Sequence, residues 1–178
     1  MLLVVAATGR ELAPVEGART VLCGIGPVEA AVATARALAE ERPSAVLHVG
    51  IAGARGLPPL ALVLGSEALY SDAAGPLVPA RALPDEALLG RLRDAFPEAH
   101  VRPIGTSARV GGTLGVDVEA MEGFAVLRAC ELAGVPAVEV RVVSNEIDEP
   151  DRSLWRFDDA FATLAESLPR LVAVASAA

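Results

Sequence analysis

Short apolar runs at residues 1–7, 19–23, 45–49, 101–106 and 136–143 alternate with stretches of helical periodicity, and this alternation constrains the chain more than any other feature. A run such as MLLVVAA, apolar at every position, has no side to turn to water and reads as a strand covered on both faces. Between such runs, residues 28–41 read as a helix, and residues 84–96 place Leu88, Leu89, Leu92 and Phe96 on one helical face. Residues 60–70 read as one or two strands, residues 120–133 as a helix stopped by Gly134, and residues 156–175 as a closing helix. Strands alternating with helices predict an α/β fold with a parallel or mixed twisted sheet flanked by helices. Residues 1–178 contain no repeat, linker or low-complexity tract, so one domain is expected.

Composition narrows the function classes. Apolar residues make up 53% of the chain and aromatics only 3%, so the core has to be built from Val, Leu and Ala. No apolar run reaches membrane-spanning length. The N-terminal residues lack the basic start and cleavage pattern of a signal peptide, so a cytoplasmic protein is expected. A formal net charge of −8 with no basic cluster argues against nucleic acid or an anionic membrane as partner. Cys23 and Cys130 lie outside any C-x-x-C pattern and read as buried thiols. His48 reads as a core histidine and His100 as a surface one. Two isolated histidines predict no metal site, and no motif calls for a cofactor.

Chemistry-bearing residues gather where these strands end, which is where open α/β sheets bind ligands. Glu11 follows the first run by a few residues; it is either a solvated acid or, facing a cleft, a general base for water. Gly24-Ile25-Gly26 precedes a helix and suits an anion cradle or a plain tight turn equally well, with Pro27 at home in the first helical turn. The chain has no lysine, which excludes a P-loop. Gly50-Ile51-Ala52-Gly53 reads as a strand-to-loop turn that lets backbone approach a ligand. Glu119-Ala120-Met121-Glu122-Gly123 is predicted to open a helix, where acids complement the dipole. A methionine flanked by acids asks for more: Glu122 can accept two hydrogen bonds from a vicinal diol such as ribose, and Met121 offers a soft apolar surface to the sugar. Asn145, the only asparagine in a chain without glutamine, follows Ser144 at the end of a predicted core strand.

Taken in order, these residues resemble the purine nucleoside phosphorylase/nucleosidase superfamily over nearly the whole chain. Glu11 is similar to the water-activating glutamate of the hydrolytic branch, and Cys23-Gly24-Ile25-Gly26-Pro27 to its Gly-x-Gly turn. Gly50–Gly53 is similar to the sugar-side glycine loop, Met121-Glu122 to the ribose-holding pair, and Val140-Arg141-Val142-Val143-Ser144-Asn145 to the strand that ends beside the purine. Within the superfamily, Val118-Glu119-Ala120-Met121-Glu122-Gly123 and Ser144-Asn145, followed by Asp151-Arg152-Ser153 and Trp155, most resemble the futalosine hydrolase branch. Ala120, Ile51, Glu146 and residues 148–150 depart from common family patterns.

The resemblance implies a three-layer nucleoside phosphorylase-like fold and a nucleosidase that assembles as a dimer or larger homo-oligomer. Its substrate would be a small nucleoside, futalosine, cleaved to hypoxanthine and dehypoxanthinyl futalosine on the alternative route to menaquinone. Glu11 and Asn145 would be catalytic. Gly53, Arg109, Val110, Met121, Glu122, Ser144 and Arg152 would bind substrate, with Arg109-Val110 as base wall and Arg152, Arg156 or Arg109 meeting the substrate carboxylate. An asparagine can accept from N7–H of a leaving purine and donate to a carbonyl at its 6-position, whereas an amino group there would oppose donor to donor. A methylthioadenosine/adenosylhomocysteine nucleosidase, a phosphorylase of 6-oxopurine nucleosides using Arg10 and Arg55 for phosphate, and a non-catalytic nucleoside-binding protein remain as alternatives.

Overall fold

The computed structural model describes residues 1–12, 17–73 and 75–177. Among them the elements run β1 (Leu2–Ala6), β2 (Ala18–Leu22), α1 (Pro27–Glu40), β3 (Ala45–Ala54), β4 (Leu62–Tyr70), β5 (Arg81–Ala82), α2 (Glu86–Ala95), β6 (His100–Thr106), β7 (Val118–Ala120), α3 (Gly123–Ala133), β8 (Ala137–Glu146) and α4 (Phe157–Ser176). No helix among the described residues is long and apolar enough to cross a membrane.

The expected mixed sheet flanked by helices is present. β2, β1 and β3 lie side by side and parallel, and β3 pairs parallel with β8. Because successive side chains alternate across a strand, each of these strands serves two cores. Leu2, Val4, Leu47, Val138, Val140 and Val142 face α2 and α4, where Leu88, Leu92, Leu164, Leu168 and Leu171 cover them. Leu3, Val5 and Val46 face α1 and α3, with Cys23 and Cys130 as buried thiols in the same layer.

Ring closure was not legible in the sequence. β8 runs antiparallel to β4, β4 parallel to β6, β6 parallel to β7, and β7 antiparallel back to β3. Five strands therefore close on themselves, and Ala52, Ala54, Val63, Ile104, Val118, Ala120 and Val143 fill the space between them. Two sequence expectations are corrected by this closure. Residues 50–53 form no loop: they continue β3, pair with β8 from Gly50↔Arg141 onward, and meet β7 at Gly53↔Glu119. Residues 119–122 do not open a helix: Val118–Ala120 is the short strand that joins β3 to β6, and α3 begins only at Gly123. Three residues are too few for a strand period to stand out against a following helix. The expected stop at Gly134 holds, ending α3 in the left-handed region (φ 64, ψ 38), and Asp85 caps α2 by accepting from Leu88 N at 2.8 Å.

Candidate active site

The carboxyl ends of β1, β3 and β8 open into a cleft of about 310 Å3. Glu11, Gly53, Met121, Glu122, Ser144 and Asn145 line it, as do Arg109, Val110 and Arg152 at its mouth. The nine site residues expected from the sequence thus meet in one cavity, although residues 11 and 145 come from opposite ends of the chain.

The floor is a buried knot of charge. Glu11 is 6% exposed; its carboxylate accepts from Thr8 N (2.8 Å), Thr8 Oγ1 (3.0 Å) and Ile51 N (3.3 Å). Glu122 stands at the N-terminal boundary of α3, and its side chain accepts from Gly26 N at 3.1 Å. The Gly24-Ile25-Gly26 turn, with both glycines at positive φ (81 and 99), therefore presents the Gly26 N–H to an internal carboxylate. Arg141, 1% exposed, links the acids. Its Nε donates to Glu139 Oε1 at 2.8 Å and its Nη2 to His48 Nε2 at 2.5 Å. Nη2 also stands 3.4 Å from Glu122 Oε2. A Cβ on Gly50 would lie 2.2 Å from Arg141 Nη1 and 2.7 Å from Glu11 Oε1, so only glycine leaves room for both groups there.

The electrostatics follow from this packing. Burial, then the Arg141 charge, holds His48 well below the ordinary histidine range. The neutral ring donates from Nδ1 to Val5 O at 3.0 Å and accepts from Arg141 at Nε2, a tautomer assigned from those partners. His48 is thus a satisfied core histidine, as its apolar run suggested. Burial works against the charge of Arg141, but Glu139, Glu122 and Glu11 outweigh it and raise its pKa.

The far end of the cleft is neutral and polar. Asn145 is half-buried at the end of β8; its Oδ1 accepts from Ser144 Oγ at 2.8 Å and its Nδ2 donates to Glu146 O at 3.1 Å. Ser144 Oγ also reaches Ala52 O at 3.1 Å. Each amide end keeps a lone pair or an N–H for a ligand.

Glu119 behaves differently from Glu122 three residues on. It lines the cleft, yet its two oxygens are committed to the 107–115 loop through Gly111 N (2.7 Å) and Thr113 Oγ1 (2.8 Å). Asp72 holds the other end of that loop through Ala108 N (2.7 Å) and Ser107 Oγ (3.2 Å). The exposed pair Arg109-Val110 is carried between these two anchors. Across the mouth, Arg152 lies over the Trp155 ring (5.3 Å), which in turn meets Phe157 edge-on.

Of the other arginines considered, none lines the cleft. Arg10 pairs with Asp158 and stacks on Phe161, Arg55 forks onto Asp148 at 2.8 and 3.0 Å, and Arg156 pairs with Asp159 at 2.9 Å. Sequence reasoning missed Arg141, Glu139, Thr8, Phe157 and Phe161. For the first two a signal existed: in Val138-Glu139-Val140-Arg141-Val142 the charges fall on alternate residues, so they share one face of a strand whose other face is apolar.

The family model of the phosphorylase superfamily matches residues 16–177. The futalosine hydrolase of Thermus thermophilus is 32% identical over 183 aligned residues, covering 84% of this chain and 79% of that protein. A solved structure of a futalosine hydrolase mutant from Helicobacter pylori shares the fold with a TM-score of 0.86 at 17% identity, over 97% of this chain and 98% of that one. The 5′-methylthioadenosine/S-adenosylhomocysteine nucleosidase of Neisseria meningitidis, solved with methylthio-immucillin-A, is 25% identical with a TM-score of 0.80, over 98% and 97% of the two chains. With the superfamily match spanning nearly the whole sequence and the Thermus protein aligned over most of its own length, this chain belongs to the phosphorylase superfamily and, within it, to the futalosine hydrolases, a family of nucleosidases.

Proposed function

We propose that this protein hydrolyses the N-glycosidic bond of futalosine, releasing hypoxanthine and dehypoxanthinyl futalosine. The observation that carries the reading is the polarity of one cleft, with buried acids around Arg141 at one end and a lone carboxamide at the other. Cleavage of such a bond builds positive charge on the sugar and negative charge on the leaving base. Carboxylates held in a low-dielectric floor stabilise the former, and they do so without reorganising during the reaction.

In this reading Glu11 takes a proton from water as it attacks the anomeric carbon. The donors already on Glu11 fix the direction of its carboxylate. Glu122 accepts from the ribose hydroxyls while Met121 packs against the sugar. The free lone pair on Asn145 Oδ1 accepts from purine N7–H, and the free N–H of Nδ2 donates to the 6-carbonyl. An amide has no proton to give at neutral pH, so water protonates the departing base. Arg109 and Arg152 at the mouth meet the carboxylate of the substrate's aromatic substituent. The reaction would serve menaquinone formation in the cytoplasm and needs no cofactor.

A second copy of the chain completes the proposal. Val28 and Val32 of α1 and Leu132 of α3 are strongly exposed around an apolar groove between those helices. Exposed Ile25 connects that face to the cleft. Burying it in a homo-oligomer removes a patch that a monomer rarely carries.

Purified protein is to be offered futalosine, inosine and methylthioadenosine side by side, with and without phosphate. Hypoxanthine released from futalosine at a rate independent of phosphate is the expected result. Adenine release from methylthioadenosine as the fastest reaction would return the assignment to the adenosine-type nucleosidases. Turnover that requires phosphate would make the protein a phosphorylase.

A further inference from the structure

Glu139 has no place in the chemistry above, yet it is fully buried in β8, where its neighbours Val138 and Val140 show what the strand otherwise contains. Taking a carboxylate out of water costs several kcal/mol unless a partner offsets it. One oxygen has such a partner, Arg141 Nε at 2.8 Å. The other, Oε2, has no hydrogen-bond donor among the described residues. Burial pushes this carboxyl up from the usual range, against the pull of Arg141. A hydrophobic residue would pack here without that penalty.

The position of the carboxylate explains its presence. It lies behind the guanidinium, on the Nε side, whereas Glu122 and Glu11 lie in front, toward the cleft. It also rests on the first residue of α3: a Cβ on Gly123 would stand 2.0 Å from Glu139 Oε2. One buried group thus touches both the arginine of the floor and the helix start that carries Glu122. The distances show which attraction prevails. Charge-assisted bonds between nitrogen and carboxylate settle near 2.7–2.9 Å; Arg141 reaches that distance to Glu139 but stops at 3.4 Å from Glu122 Oε2. Neutral His48 holds Nη2 from the side.

We propose that Glu139 is a positioning residue that holds Arg141 back from Glu122 and Glu11, leaving those carboxylates open to sugar and water. Without an acceptor at that place the guanidinium would close on the two acids ahead of it and occupy the lone pairs the substrate needs. This rests on the reading of Glu11 and Glu122 as the working acids.

Two conservative variants test it. Glu139→Asp keeps the charge but withdraws the acceptor by one methylene, so the bond to Arg141 Nε breaks or the guanidinium retreats. Glu139→Gln keeps an acceptor at the original place. On whichever nucleoside the wild type cleaves, Glu139→Asp is expected to lower kcat about tenfold to a hundredfold, the scale of a small misplacement at a reacting centre, while KM changes by less than about threefold. Glu139→Gln restores most of kcat. A Glu139→Asp enzyme with wild-type kcat, or a Glu139→Gln enzyme as slow as Glu139→Asp, overturns the proposal.

The Arg141 Nε–H resonance, assigned by its loss in Arg141→Met, reads the same contact without substrate. It should be protected in the wild type and Glu139→Gln, and shifted or lost in Glu139→Asp. An unshifted resonance in Glu139→Asp overturns the positioning role. A wild type that cleaves no nucleoside while the resonance behaves as expected would refute the function and leave Glu139's hold on Arg141 standing.

Discussion

The floor and the mouth of the cleft are built on opposite principles. At the floor, Glu11, Glu122, Glu139 and Arg141 are buried and tied to backbone or to one another by hydrogen bonds. At the mouth, Arg109 is exposed on a loop and Arg152 on a single 3-10 turn, and neither has an acid partner among the described residues. A charge in a low-dielectric floor acts strongly and is ruinous if misplaced, so it must be preorganised. A charge at the mouth is screened and cheap, and it can meet a varied substituent without disturbing the reaction. The two regions meet at Glu119, a buried acid that faces the cleft but serves the mouth by holding the loop of Arg109 and Val110.

This contrast can be broken at its strongest point. Glu11→Gln preserves shape and one acceptor but cannot take a proton; activity should fall by about 10²–10⁴, measured by hypoxanthine release. A fall of less than tenfold would remove Glu11 as base. Arg141→Met leaves Glu139 and Glu122 as uncompensated buried charges and should destabilise the fold by about 3–5 kcal/mol, read from urea unfolding; a loss within about 0.5 kcal/mol would mean the acids find other partners or take up protons.

The base end should respond in preference rather than in stability. Asn145→Asp replaces the donor facing the 6-position with an acceptor, and should move selectivity from 6-oxo toward 6-amino purine nucleosides by roughly 1–3 kcal/mol, measured as the ratio of kcat/KM for the two. No change in that ratio would take Asn145 out of base recognition. At the mouth, Arg109→Ala and Arg152→Ala should each raise KM for futalosine several-fold with kcat and stability unchanged; a collapse of kcat would show that the mouth belongs to the chemistry after all.

The last effect concerns the core beneath the site and is confined to alkaline pH. Burial pushes the thiols of Cys23 and Cys130 up to about 12 from 9.0. The folded protein therefore keeps both thiol protons in a range where the unfolded chain releases them. Stability is fully present below pH 9.0 and declines as pH rises toward about 12. Melting temperatures taken between neutral and strongly alkaline pH should show this decline, and Cys23→Ala/Cys130→Ala should flatten it. An equally steep decline in the double variant would assign it to other groups.

Much of the site could be read before the fold was known. Asn145 stood out because the chain contains no other carboxamide side chain, and Met121-Glu122 because a methionine between acids has no simple surface explanation. Both lie in the cleft, although the local structure assigned to residues 119–122 was wrong. The error came from reading acids before an amphipathic stretch as a first helical turn; pairing of β7 with two strands distant in sequence overrode that local signal. Glu119 was grouped with Glu122 for the same reason, since nothing within five residues tells which acid faces a loop. Arg141 went unread because a charge inside a strand was weighed by the company of its neighbours rather than by the face it shares with Glu139.

The sequence alone determined the α/β class, most strands and helices, the helix stop at Gly134 and the identity of the groups available for chemistry, because periodicity, capping and composition act over a few residues. Only the tertiary structure decided that five strands close into a ring, that the Gly24-Ile25-Gly26 turn gives an N–H to Glu122, and that Arg141 sits among three acids. Those outcomes rest on contacts such as Gly26 with Glu122 and His48 with Arg141, separated by 96 and 93 residues. Their strength comes from exclusion of water, which no short stretch of sequence possesses until the whole chain has packed around it.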